Sequence, residues 1–153
     1  VRTPEVKIIN NLGRTLAKDK DYKLNYQQGR KNVGTYYVEI TYINDYKNIN
    51  KEKLYFTINP KSTNITSLTK GKKSITIKIK KQQTQTTGYQ IMYSQNKNFK
   101  NSKTTKINNK TTKKTIKNLK AKKKYYAKVR TYKVINGKTY YSDWSKVKQV
   151  KTK

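Results

Sequence analysis

A period of two in the apolar residues, recurring from Tyr22 to Tyr141 with no convincing helical stripe, commits this chain to β-strands. Tyr22, Leu24 and Tyr26 alternate with Lys23 and Asn25. Tyr36, Val38, Ile40 and Tyr42 then form one face of a longer segment, with Tyr37, Glu39 and Thr41 on the other. Leu54, Phe56 and Ile58 follow, alternating with Tyr55 and Thr57. The polar stretch 27–34, bounded by Gly29 and Gly34, reads as a hairpin loop. These three strands plus residues 6–9 make a thin sandwich, one that lacks an N-terminal strand. Pro60 ends the third strand, and the polar run 59–64 is the expected boundary between a domain at 1–59 and another at 60–153.

Beyond that boundary the pattern is denser. Ile75, Ile77 and Ile79 alternate with Thr76, Lys78 and Lys80, and Tyr89, Ile91 and Tyr93 with Gln90 and Met92. Residues 104–108 and 113–117 are weaker strands. Tyr125, Ala127, Val129 and Thr131 face one way, while Tyr126, Lys128, Arg130 and Tyr132 face the other. Asn136-Gly137 supplies the positive φ angles of a tight hairpin turn, with a return strand starting at 138. Val147 and Val150 lie three apart, so burying both requires a bulge or a twist. Short strands at this spacing describe an antiparallel sandwich. The expected fold class is therefore all-β, as two tandem antiparallel β-sandwiches.

Charge divides the chain at the same place. Of 38 Lys and Arg against 7 Asp and Glu, residues 1–59 hold 11 cations and 6 acids, and residues 60–153 hold 27 cations and one acid, Asp143. The net charges are +5 and +26. AT-rich coding could favour Lys and Asn, but Asp and Glu codons are largely AT-rich too, so their near absence needs a physical cause. The simplest is an anionic partner; the alternative is a charged surface that keeps the protein soluble. At 32% hydrophobic residues the composition alone would suit disorder, but 14 Tyr and the repeated alternation decide for a fold.

The order and spacing of several short motifs across residues 60–153 resemble a fibronectin type III domain, of the lysine-rich kind found in secreted proteins of Gram-positive bacteria. They are Gly88-Tyr89-Gln90-Ile91-Met92-Tyr93-Ser94, Leu119 six residues before Tyr125, the run from Tyr125 to Arg130, and Tyr140-Tyr141-Ser142-Asp143-Trp144-Ser145. The Leu119–Tyr125 spacing is similar to a tyrosine corner, in which a buried Tyr tethers a loop through its hydroxyl. Ile79 stands where the family usually has a core Trp, leaving volume for Tyr89 or Trp144 to fill. Alternatively Trp144, in a cytokine-receptor-like run, stacks between cations of the neighbouring strand. Residues 1–59 resemble the immunoglobulin-like module that often precedes such a domain, through Leu16, Asp21-Tyr22, Asn32-Val33-Gly34-Thr35, Tyr46 and Phe56-Thr57-Ile58. Glycines usual around Tyr46 are replaced by Tyr42, Asn44 and Asn48, and Asn44 and Asn48 are expected to keep the turn. The pair implies an extracellular, cell-surface or cell-wall location and a spacer, adhesion or wall-binding role.

Chemistry is limited by what is missing. Without His or Cys there are no thiol nucleophiles, no His-based triads and few ways to build a zinc or copper site. No P-loop, Gly-rich dinucleotide turn or nucleophile elbow occurs, and only Asp19 and Asp21 are carboxylates close in sequence. They read as half of a calcium site or as a turn held by Asp side chains. No catalytic residue, cofactor or metal is expected, nor membrane insertion, since no apolar run approaches the roughly 18–20 residues of a span. A start at Val1 is expected of a processed chain or a piece of a longer one. The candidate polyanion-binding residues are Lys122, Lys123 and Lys124, with the outward row Tyr126, Lys128, Arg130 and Tyr132, where aromatics interleave with cations. Exposed Tyr on a strand is also ordinary β propensity. The leading reading is a non-catalytic extracellular module on the anionic bacterial envelope, its partner an anionic wall polymer such as teichoic acid. A structural subunit of a surface filament or phage particle, by self-association or through neighbouring domains, is the alternative. Nucleic-acid binding ranks below both.

Overall fold

The computed structural model describes residues 2–153 and divides them after Ile58; the second unit spans Asn59–Lys153. In the first unit, strands β1 (Tyr22–Tyr26), β2 (Gly34–Tyr42) and β3 (Glu52–Ile58) form one antiparallel sheet in the order β1-β2-β3. Alternation sends Tyr22, Val38, Ile40 and Tyr42 to one buried face. The layer covering that face is the N-terminal segment rather than a second sheet. It turns back on itself at Asn10, bridges Ile9 to Thr15, and packs Val6, Ile8 and Leu16 on the strands. Tyrosine hydroxyls fasten it: Tyr22 donates to the Val6 carbonyl at 3.2 Å and Tyr26 to the Pro4 carbonyl at 2.8 Å. Cover is thinnest over β3, where Leu54 on the core side remains 44% exposed.

A 3₁₀ turn, Asn44–Tyr46, follows β2. Asn44 sits at φ 53°, as the missing glycine required, and its side-chain amide donates to the Lys20 carbonyl at 2.7 Å. Asn48 has no positive φ, so one Asn does the work expected of two. Burial, then the hydroxyl's bond to Glu52, raises the Tyr42 phenol above its ordinary pKa, so it stays a donor to that carboxylate at neutral pH.

The second unit is a sandwich of two antiparallel sheets. One holds β4 (Ile65–Gly71), β5 (Ser74–Ile79) and β8 (Lys113–Ile116) in the order β4-β5-β8. The other runs β10 (Lys138–Tyr141), β9 (Lys124–Ile135), β6 (Gly88–Ser94) and β7 (Lys103–Asn108), with β11 (Lys148–Lys151) also paired to β9. Ile65, Ile75, Ile77, Ile79, Tyr89, Ile91, Ile116, Leu119, Tyr125, Ala127 and Val129 fill the space between them. Strand β4 is not apparent from alternation, because Ile65 and Leu68 are three apart. A bulge between Ile65 and Ser67 turns both inward. Asn136 and Gly137, at φ 46° and 76°, make the tight turn between β9 and β10.

One open alternative is resolved and one expectation is corrected. Tyr89, not Trp144, fills the volume beside Ile79: its ring is fully buried, and its hydroxyl donates to the Gln82 carbonyl at 3.0 Å while accepting the Gln82 N–H at 2.8 Å. Val147 is not buried by any bulge or twist but stays 46% exposed, because β11 begins only at Lys148. Between β10 and β11 the pairing to β9 is shared: the Ser142 and Ser145 N–H groups still donate to the Thr131 and Val129 carbonyls, at 3.1 and 2.8 Å, and side chains supply the rest. Ser142 and Ser145 hydroxyls accept the N–H groups of Thr131 and Val129 at 3.1 and 3.0 Å, replacing backbone partners that an interrupted strand lacks.

Tyr125 is 5% exposed and closes the corner beneath Leu119: its hydroxyl accepts the Lys120 N–H at 3.1 Å. Tyr125→Phe leaves that amide without its partner and should cost about 1–3 kcal/mol, measured by denaturant unfolding. A change below a few tenths would separate the hydroxyl from the fold. Residues 59–153 expressed alone should unfold in one cooperative transition; a broad, non-cooperative melt of that fragment beside a sharp one for the full chain would contradict a separable unit.

Candidate polyanion-binding surface

One end of the second unit is closed by a backbone hydrogen-bonded cap. The Lys153 N–H donates to the Gly71 carbonyl at 3.0 Å, the Lys73 N–H to the Lys153 carbonyl at 3.3 Å, and the Leu119 N–H to the Lys73 carbonyl at 2.9 Å. Buried Thr152 joins the loop before β9 to this cap. Its N–H donates to the Lys123 carbonyl at 3.0 Å, and its hydroxyl accepts the Lys123 N–H at 3.1 Å and donates to the Lys120 carbonyl at 2.7 Å. The turn between β4 and β5, the loop before β9 and the chain's last residues thereby meet in one place. Their side chains there are Lys72, Lys73, Lys120, Lys122, Lys123 and Lys153, all exposed. Directly below, Lys124 on β9 faces Lys151 on β11 across the strand pair. Like charges directly opposite are destabilising, and the unit's one acid, Asp143, lies outside these elements in the segment between β10 and β11.

Backbone conformation adds a second cost at the same pole. Lys73 and Lys122 sit at φ 46° and 53°, in the left-handed region where Gly or Asn is easier to accommodate. Both turns carry a cation in place of the residue that would relieve the strain.

The structure divides the seven sequence-derived candidates. Lys122, Lys123 and Lys124 lie at the pole. Tyr126, Lys128, Arg130 and Tyr132 lie along the outer face of β9, and all four are half-buried. The cations of that row already have partners. The Arg130 guanidinium is 3.8 Å from the Tyr141 ring centroid and 4.3 Å from that of Trp144. Lys128 lies 5.0 Å from Trp144 and 4.2 Å from Phe99, and Lys106 reaches across from β7 to within 4.9 Å of Tyr132 and 5.5 Å of Tyr141. The result is a continuous stack, in the order Tyr132, Lys106, Tyr141, Arg130, Trp144, Lys128, Phe99. Burial lowers the Arg130 pKa from its ordinary value and the Tyr141 hydroxyl opposes that shift, yet a guanidinium remains charged at any physiological pH. Its Nε also donates to Gln90 at 2.8 Å.

Gly88 makes room for one end of the stack. A Cβ there would overlap the Ile107 carbonyl oxygen and stand 2.8 Å from the Tyr132 hydroxyl, so only glycine lets that ring cross β6 toward Lys106. Lys128 and Arg130 of the outer row are thus held against rings on this face. Sequence reasoning missed Lys106, Phe99 and Tyr141 in the stack, and Lys120, Lys151 and Lys153 at the pole. Cross-strand register is the signal that would have found Lys106, Tyr141 and Lys151; Phe99, Lys120 and Lys153 lie outside the strands. In the first unit, Asp21 is buried and its Oδ2 accepts the Ala17 N–H at 2.8 Å, while Asp19 is exposed at φ 67°; the two organise a turn.

No family model and no curated protein matches the chain. Among solved structures, it is similar to the FN1–FN3 domains of chicken CNTN1, with 16% identity and a TM-score of 0.54, over 79% of this chain and 43% of that one. The chain thus spans well under half the length of that structure. It also aligns with a structure described as a myokine, at 15% identity and a TM-score of 0.49, over 62% of this chain and 98% of the other. The first likeness carries the fold alone, which is fibronectin type III-like.

Trp144→Ala removes the ring between Arg130 and Lys128 and with it two cation–π contacts. At about 0.5–1 kcal/mol each it should lower stability by about 1–2 kcal/mol, measured by thermal or denaturant unfolding. An unchanged midpoint would mean that the stack does not support the sheet.

Proposed function

We propose that the protein is a non-catalytic, extracellular binding and spacer module, held to the anionic bacterial envelope through the lysine pole of its second unit. The observation that carries this reading is the pole itself. Three separate chain segments are tied together there by backbone hydrogen bonds, all present lysines, and directly below them Lys124 and Lys151 face each other across a strand pair. A surface needed only for solubility has no reason to concentrate cations where they repel most, or to place them on strained turns. An anionic polymer supplies the opposite charge and releases counterions as it binds.

The stacked face of β9 has a different part in this reading. Rings hold Lys106, Lys128 and Arg130 in fixed places, so that face stiffens the sheet and the pole makes the contact. Base stacking, which a nucleic-acid site would need, gains little from rings already covered by cations. Wall association is therefore favoured over nucleic acid.

Binding of the full chain to purified Gram-positive cell walls tests the proposal. Affinity should fall steeply between low and moderate salt and drop after teichoic acid is stripped. Replacing Lys122, Lys123 and Lys124 with Gln should weaken it by roughly ten-fold or more and reduce its salt slope, with no loss of folding, since all three side chains are exposed. Salt-insensitive retention on stripped walls would overturn it.

A further inference from the structure

Beside the pole, between the loop joining β6 to β7 and the loop joining β8 to β9, lies a cavity of about 500 Å³. Lys100, Lys103 and Lys120 line it, with Asn101, Asn118 and Tyr125. No carboxylate lines it. Its walls are built rather than incidental. Asn101 and Asn118 are in the left-handed region at φ 51° and 58°, and Ser94 ties the first loop by donating to the Lys100 carbonyl at 2.9 Å while accepting the Asn96 N–H at 3.0 Å.

Tyr125 ties the two loops together. Its hydroxyl accepts two hydrogen bonds, from the Gln95 Nε2 at 2.9 Å and the Lys120 N–H at 3.1 Å, which fills its acceptor capacity. Three lysines and two asparagines thus surround a cavity whose two loops are held to one buried side chain. A group with several acceptor oxygens and negative charge matches that set, and a cation or a neutral apolar ligand does not.

We propose that this cavity is a phosphate site. The inference rests on the envelope-binding reading and deepens it: the pole attracts a polyanion by its summed charge, and the cavity seats one phosphate of it. Lys120 belongs to both, through its backbone in the cap and its side chain at the cavity.

The test is a titration of the full chain with inorganic phosphate and, separately, with glycerol phosphate, followed by amide NMR at constant ionic strength with chloride as the control anion. Saturable shifts are expected at Asn96, Asn101, Asn118 and Lys120, with chloride producing none. A variant with Lys100, Lys103 and Lys120 changed to Gln should bind each probe at least about ten-fold more weakly, while a variant with Lys80, Lys81 and Lys110, exposed lysines beyond the opposite ends of β5 and β7, changed to Gln keeps the wild-type affinity. Tighter binding of glycerol phosphate than inorganic phosphate would identify an ester of a polymer as the occupant; the reverse order would identify the free ion. Shifts that do not saturate, that spread over the lysines at large, or that survive the Lys100, Lys103 and Lys120 changes would overturn the site. The two proposals fail separately. Walls bound with steep salt dependence but no saturable phosphate shifts would sink the cavity alone, whereas saturable phosphate binding without wall binding would sink only the envelope reading.

Discussion

Repulsion among like charges is the term that the second unit must offset before any other part of it can hold. Twenty-seven cations share a sandwich of fewer than a hundred residues with one carboxylate. Two exposed charges at strand-pair distance repel by roughly 1 kcal/mol or less in water, and salt screens the more distant pairs. No single contact threatens the fold, but the sum opposes it. The answer is a core of six isoleucines with Leu119, Tyr89 and Tyr125, in which every buried hydroxyl has a hydrogen-bond partner. Burial at about 25 cal/mol per Å² is indifferent to the charge outside, which lets a surface this basic coexist with an ordinary interior.

Aromatic rings do in this unit what acids do in most proteins. The negative faces of Tyr132, Tyr141, Trp144 and Phe99 receive Lys106, Arg130 and Lys128 without adding a formal negative charge. Carboxylates in those places would quiet the sheet face but also lower the unit's net attraction for anions. Rings relieve local crowding and leave the long-range field intact. That substitution fits a protein whose tyrosines are many and whose acids are few.

Much of the fold was legible, because alternation is a local signal. The alternating strands, the Asn136-Gly137 turn and the Leu119–Tyr125 corner all follow from residues close in sequence. What stayed hidden depended on register. Strand β4 disguises its two core residues with a bulge. Counting outward from the β9–β10 turn places Gln149 opposite Lys124, but two extra residues between β10 and β11 bring Lys151 there instead. The facing lysines follow from that slip. Likewise the outer row of β9 was read correctly as outward, while the ring partners of its cations come from β7, β10 and flanking loops that no local pattern places beside it.

The cap at the pole also has a mechanical consequence. Lys153 is bonded to the far end of β4, at Gly71, while the chain enters the unit at the opposite end, where Lys61 takes the Thr131 hydroxyl. A pull between entry and exit therefore runs along the strands and not across them. The hydrogen bonds of β11 to β9, and of the cap to the β4–β5 turn, are loaded together in shear, so they must break nearly at once instead of opening one after another. Unfolding under load is governed by that barrier and not by equilibrium stability. A sandwich bonded in this way resists tension applied between those two points.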